Sequence, residues 1–228
     1  MTFYDRIVKE TAEDKERFFQ RKTLSNVIVE GAPKELYLLY LEQAYHHVRF
    51  TCPLLEQAKK LLNQNKDKKF AEAFQEYIVE ETGHEEWILN DLSYIGGDKA
   101  KVRNSKGDLP VQSMIAYMKF TIDNISPYAL LGMVYVLEGT SVNIATAVAK
   151  KIADNLKINT KKGFSYLLSH GELDISHVDF FINLVNQIKD KQIQDQIIET
   201  AKMIYFLWGS MFDEIEYKLN NPTQKVVC

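Results

Sequence analysis

The sequence predicts an all-α fold, a single helical bundle of about seven or eight helices. Three observations point there. Chain breakers are scarce, with 5 prolines and 10 glycines in 228 residues. Between them, long segments repeat apolar residues three and four apart, the period of one helix face. No pair of alternating segments reads as strands, and no internal repeat of solenoid length is visible.

The apolar period places helices over 2–20, 34–63, 67–95, 110–124, 127–156, 161–170, 174–189 and 191–219. The second is expected to bend at Pro53, which removes a backbone donor and crowds the preceding turn. Gly96-Gly97-Asp98 closes the third and opens a polar loop through Gly107-Asp108. Ser126-Pro127 has the order of an N-cap followed by proline at the first helical position. Asn159 or Thr160 is expected to cap the next helix. Residues 1–219 form one domain, and 220–228 are a short tail.

Composition narrows the function. A hydrophobic fraction of 46% and a charged fraction of 26% are those of a globule with a real core. The net charge of -3, without a basic stripe, gives no pull toward nucleic acid. The lysines between Lys59 and Lys69 are broken up by acid and amide, as on a solvated helix end. Cys52 and Cys228 lack metal-knuckle spacing and make no disulfide framework. Residues 1–20 carry five acidic side chains and no apolar signal core. No uninterrupted apolar stretch reaches bilayer length. A cytoplasmic location without membrane association is expected.

Chemistry gathers around the histidines. In Glu80-Glu81-Thr82-Gly83-His84, Glu81 and His84 are three apart and share a helix face, with Glu80, four apart, as a rival. In His170-Gly171-Glu172-Leu173-Asp174-Ile175-Ser176-His177, positions 170, 174 and 177 fall on one helical stripe. Glu138 lies in an apolar run, Met133 to Thr140. A carboxylate buried there needs a partner, either a lysine such as Lys119 or a cation. Glu81, His84, Glu138, His170, Asp174 and His177 supply three imidazoles and three carboxylates. That donor set suits iron or manganese, and bridging carboxylates allow two ions in one bundle. A ferritin-like bundle would repeat Glu-x-x-His on two helices; here it occurs once, which argues for a different bundle.

Each residue also has a plainer reading. Glu81 with His84 could be a surface ion pair, and Asp174 a helix cap. His46 and His47 are adjacent and so face different ways, one toward a core or pocket and one toward solvent. Cys52 beside Pro53 reads as a small buried residue. Tyr45, Tyr117, Tyr135, Phe120, Trp87 and Trp208 read mainly as core. Ile115, Met118, Ile122, Leu130 and Met133 could line an aliphatic pocket or only pack.

The runs Tyr40-Leu41-Glu42-Gln43-Ala44-Tyr45-His46-His47-Val48-Arg49, Glu80 to Ile88, Leu137-Glu138-Gly139-Thr140-Ser141 and Ser169 to His177 together resemble the haem-oxygenase-like di-iron oxidases. These are relatives of the TenA-like and PqqC-like proteins, also described as iron-containing redox enzymes. The resemblance covers about residues 20–215. It implies the haem-oxygenase-like (TenA-like) bundle, often as a homodimer, and two iron ions held by Glu81, His84, Glu138, His170, Asp174 and His177. Glu138 and Asp174 would hold the pair together, and Glu42 is a candidate for an added carboxylate. The implied activity is an O2-dependent oxidase or oxygenase acting on a small aliphatic acid, amino acid or amine derivative. A TenA-like C–N hydrolase, or a small-molecule-binding or regulatory protein on the same fold, is the alternative. The mid-chain cysteine nucleophile of TenA thiaminases is missing between Gly132 and Val142. Residues 1–30 contain no histidine of the kind that binds haem in true haem oxygenase.

Overall fold

The computed structural model describes residues 1–221, with side chains described except at Asn143 and residues 171–177. The described residues form helices α1 (Phe3–Glu10), α2 (Ala12–Phe19), α3 (Lys22–Glu30), α4 (Lys34–Val48), α5 (Thr51–Gln64), α6 (Lys68–Glu81), α7 (His84–Ile95), α8 (Lys99–Arg103), α9 (Leu109–Asn124), α10 (Leu130–Leu156), α11 (Ser165–Val185) and α12 (Lys191–Asn220). A 3-10 turn, Pro127–Ala129, leads into α10. The expected all-α bundle is present, divided more finely than the sequence suggests. No single helix among the described residues is long and apolar enough to cross a membrane.

The divisions have local causes. The expected bend at Pro53 is a break at Arg49-Phe50. Pro53 then sits in the first turn of α5, where its missing N–H costs nothing because that donor has no helical acceptor anyway. The expected helix over 67–95 is two helices joined through Gly83, whose φ of 92° lies in the left-handed region that favours glycine. Two helices are absent from the sequence reading. In α3, the β-branched Thr23, Val27, Ile28 and Val29 have modest helix propensity, and burial of Thr23, Leu24 and Val27 decides the matter. In α8, the Asp98 side chain accepts from the N–H groups of Ala100 and Lys101 and starts a short helix inside the expected loop. Conversely, the two helices expected over 161–170 and 174–189 are one, α11.

The core has two apolar clusters. The larger joins α1, α2, α5, α6, α9 and α12 to the first half of α10 and the end of α11. The smaller gathers α4, α7 and the second half of α10 around the start of α11. α10 therefore runs through both, packed along α11 and α12. Gly132 permits its approach to α12: a Cβ there would lie 2.4 Å from the carbonyl oxygen of Ile197. Phe120, expected in the core, is 58% exposed on α9.

Candidate metal centre

Where the two clusters meet, the bundle forms a partly open cavity of about 130 Å³. Its wall is mostly apolar, with Leu24, Val27, Leu130, Met133, Ile144 and Val148 among its residues. The polar side chains that line it include His47 from α4, Glu81 from α6, Glu138 from α10 and His170 from α11. Of the aliphatic residues proposed from sequence, Leu130 and Met133 line this cavity. Ile115 lines a separate cleft with Arg49, Phe50 and Lys119.

Glu81 and His84 are brought together by the turn at Gly83 rather than by one continuous helix face. Glu81 is the last residue of α6 and His84 the first of α7. Glu81 Oε2 lies 3.2 Å from His84 Nδ1. The His84 ring stacks on Trp87 (centroids 4.1 Å apart) and meets the His170 ring edge-on at 5.0 Å. His170 also lies edge-on to Tyr166, at 4.7 Å. Glu81, His84 and His170 each present a ligand atom within 4.8 Å of the others'. Glu138 borders the same space, whereas Lys119, its rival partner by sequence, lies over the Phe50 ring.

Glu80, the rival to Glu81, is exposed. Glu42 is half-buried on another face of α4; its carboxyl is pushed up chiefly by burial, and the charges around it are those of Lys218, Asp108 and Lys101. The structure does not bring Glu42 to the cavity. Asp174 and His177 lie outside the described residues as side chains, although α11 runs unbroken through both positions.

The start of α11 is fixed from α7, not by Asn159 or Thr160. Asp91 is buried, and its Oδ1 accepts from Ser165 Oγ at 2.6 Å while Oδ2 accepts from the backbone N–H of Tyr166 at 2.8 Å. One carboxylate thus ties the helix carrying His84 to the first turn of the helix carrying His170. Its buried, cross-helix cap leaves no trace in local sequence, because Asp91 is remote from the helix it caps.

His46 and His47 divide as expected of neighbours on a helix, but both are buried. His46 Nε2 lies 2.9 Å from Ser105 Oγ, on the side of the second cleft. His47 faces the main cavity with neither ring nitrogen hydrogen-bonded. Burial, with the nearby His170, pushes its pKa down to about 4, against a smaller opposing effect of Glu81. Its adjacency to His46 was the only sequence signal for this position. Cys52 lies near the Ile78 carbonyl and Thr82, and burial raises its thiol pKa, as befits an inert packed cysteine.

The donor atoms fit a metal ion. Two ligand atoms at about 2.1 Å from one ion and at right angles are about 3 Å apart, close to the 3.2 Å between Glu81 and His84. Imidazole with carboxylate, and no thiolate, suits iron.

Comparison with known proteins agrees. The chain is similar along its whole length to a domain of unknown function with a haem-oxygenase-like fold from Shewanella denitrificans, at 19% identity, covering 100% of this chain and 97% of that one, with a TM-score of 0.87. It is similar to a TenA homologue from Pseudomonas syringae pv. tomato (12% identity, 94% and 93% covered, TM-score 0.76). It is also similar to haem oxygenase-1 from the cyanobacterium Synechocystis (14% identity, 97% and 96% covered, TM-score 0.74). At these identities the likeness establishes the fold. A search of curated proteins found no match. Residues 38–209, most of the chain, match the family described as iron-containing redox enzyme, and with the fold it shares the chain belongs to that family.

Proposed function

We propose that the protein is a non-haem di-iron oxidase or oxygenase that uses O2 on a small, largely apolar organic substrate. The observation that carries this reading is the convergence of Glu81, His84 and His170 within 4.8 Å at the wall of an apolar cavity, with Glu138 on the same wall. Glu81, His84 and His170 would hold one ion. Glu138, with Asp174 and His177 one and two turns beyond His170 on α11, would complete a two-ion set. Ferrous iron, when bound, supplies the electrons that activate O2.

The chain's own contribution is geometric and dielectric. Trp87 stacked on His84, and Tyr166 edge-on to His170, limit ring rotation of both imidazoles. Asp91 sets where α11 begins and so where His170 points. The apolar wall excludes water, which strengthens each charge–ion interaction inside. The TenA-like hydrolase reading needs a nucleophile at the cavity, and no cysteine is among its described lining residues.

The test is anaerobic ferrous titration of the full chain followed by O2, read by iron analysis, visible absorption and Mössbauer spectroscopy. Two irons per chain and an O2-dependent band that is lost in Glu138→Ala are expected. Absence of stoichiometric iron would remove the oxidase reading.

A further inference from the structure

Among the buried polar side chains at the cavity that are not assigned to the metal are His47 and Trp208. His47 is 2% exposed and Trp208 is 8% exposed. Neither His47 nitrogen nor Trp208 Nε1 has a hydrogen-bond partner. Both residues line the cavity. Their rings meet edge-on, with centroids 6.5 Å apart. Trp208 cannot turn its N–H elsewhere easily, because its other side stacks on Phe18 at 4.9 Å and 18°. An unpaired polar group buried in an apolar site is costly, and a bound group that completes it is one reason to keep it there.

We infer that His47 and Trp208 form the polar anchor of the cavity, receiving an acceptor oxygen on an otherwise apolar substrate. The indole is a donor only, and a neutral imidazole donates from one nitrogen. Two neighbouring donors match a carbonyl, hydroxyl or carboxylate oxygen. The rest of the molecule lies along Leu24, Val27, Ile144, Val148 and Ile152. The lining residues of α10 are spread from Leu130 to Ile152, and most of them are apolar. This deepens the proposed function by naming a substrate class, and His47 serves as anchor rather than as metal ligand.

The test uses the full-length, metal-free protein and two probes, 2-octanone and octane, in titration calorimetry. His47→Leu and Trp208→Phe each weaken 2-octanone by about tenfold and leave octane within about twofold. His47→Gln, which can still donate, keeps 2-octanone within about threefold of wild type. Val148→Trp, which fills the apolar wall, removes binding of both probes. Unchanged 2-octanone affinity in both anchor variants, a parallel loss of octane, or binding that survives Val148→Trp would overturn the inference. So would a wild-type protein that does not bind 2-octanone. Ferrous titration of His47→Leu separates anchor from ligand: the same iron uptake as wild type is expected, and a lower uptake overturns the assignment. A wild type that takes up no iron defeats the di-iron reading alone, because the probe measurements need no metal.

Discussion

Glu80 and Glu81 are neighbours with opposite fates, one exposed and the other at the cavity wall 3.2 Å from His84. Glu81→Ala and His170→Ala should each lower iron uptake at least about tenfold, since a lost ligand or ligand partner costs that much or more. Glu80→Ala and Glu42→Ala should leave it unchanged; competition with a coloured chelator reads all four. The paired histidines make a second prediction. Burial pushes both His46 and His47 down to about 4 from an ordinary 6.5. The folded state therefore needs them neutral, and between these values the unfolded chain binds more protons. Their contribution is complete above pH 6.5 and is lost as pH falls toward 4, by on the order of 3 kcal/mol for each histidine. The metal-free protein should show a melting temperature that drops steadily from pH 7 to pH 4.5, and His46→Gln should flatten that profile.

At the level of elements, the chemistry depends on where helices stop. Gly83 breaks the expected long helix and swings His84 back toward Glu81. A Cβ at this position would meet nothing within 4 Å, so its cost is backbone strain alone. Gly83→Ala should lower stability by about 1 kcal/mol, seen in urea unfolding, and should weaken iron binding beyond that by shifting the junction. Asp91 makes the complementary prediction for α11. Asp91→Ala strands the Ser165 hydroxyl and the Tyr166 N–H, at about 1–3 kcal/mol, and hydrogen exchange should speed up selectively in the first turns of α11. These junctions explain what the sequence reveals and what it hides. Apolar period and scarce breakers are local properties, so the all-α class and most helix positions are readable. Glu81, His84 and His170 are readable because their spacings still bring the right types to one region. The break at Gly83 turns on the left-handed backbone of a single glycine, which apolar period alone does not register, and the unbroken path of α11 past Gly171 and the Asp91 cap depend on tertiary partners that no window of sequence contains. His47 was visible only as half of a pair. Its cavity-facing role follows from the rotation of α4 against its neighbours.

For the whole molecule, α10 is the axis shared by both apolar clusters, and Gly132 sets its distance from α12. Gly132→Ala should cost about 1–3 kcal/mol through overpacking against the Ile197 carbonyl, with thermal unfolding as the readout and the cavity-lining Met133 beside it displaced. The Asp91 tether has a consequence for how the molecule comes into being. Glu81 and His170 are roughly ninety residues apart along the chain, and closing a loop of that size carries an entropic cost that contacts elsewhere must offset first. A nascent chain that has emerged only through α10 has one half of the ligand set and no lock for the other. On the proposed ligand set, capture of the ion would therefore belong to the end of folding, when α11 docks onto α7, and an ion bridging the two segments would act as a late cross-link across that loop.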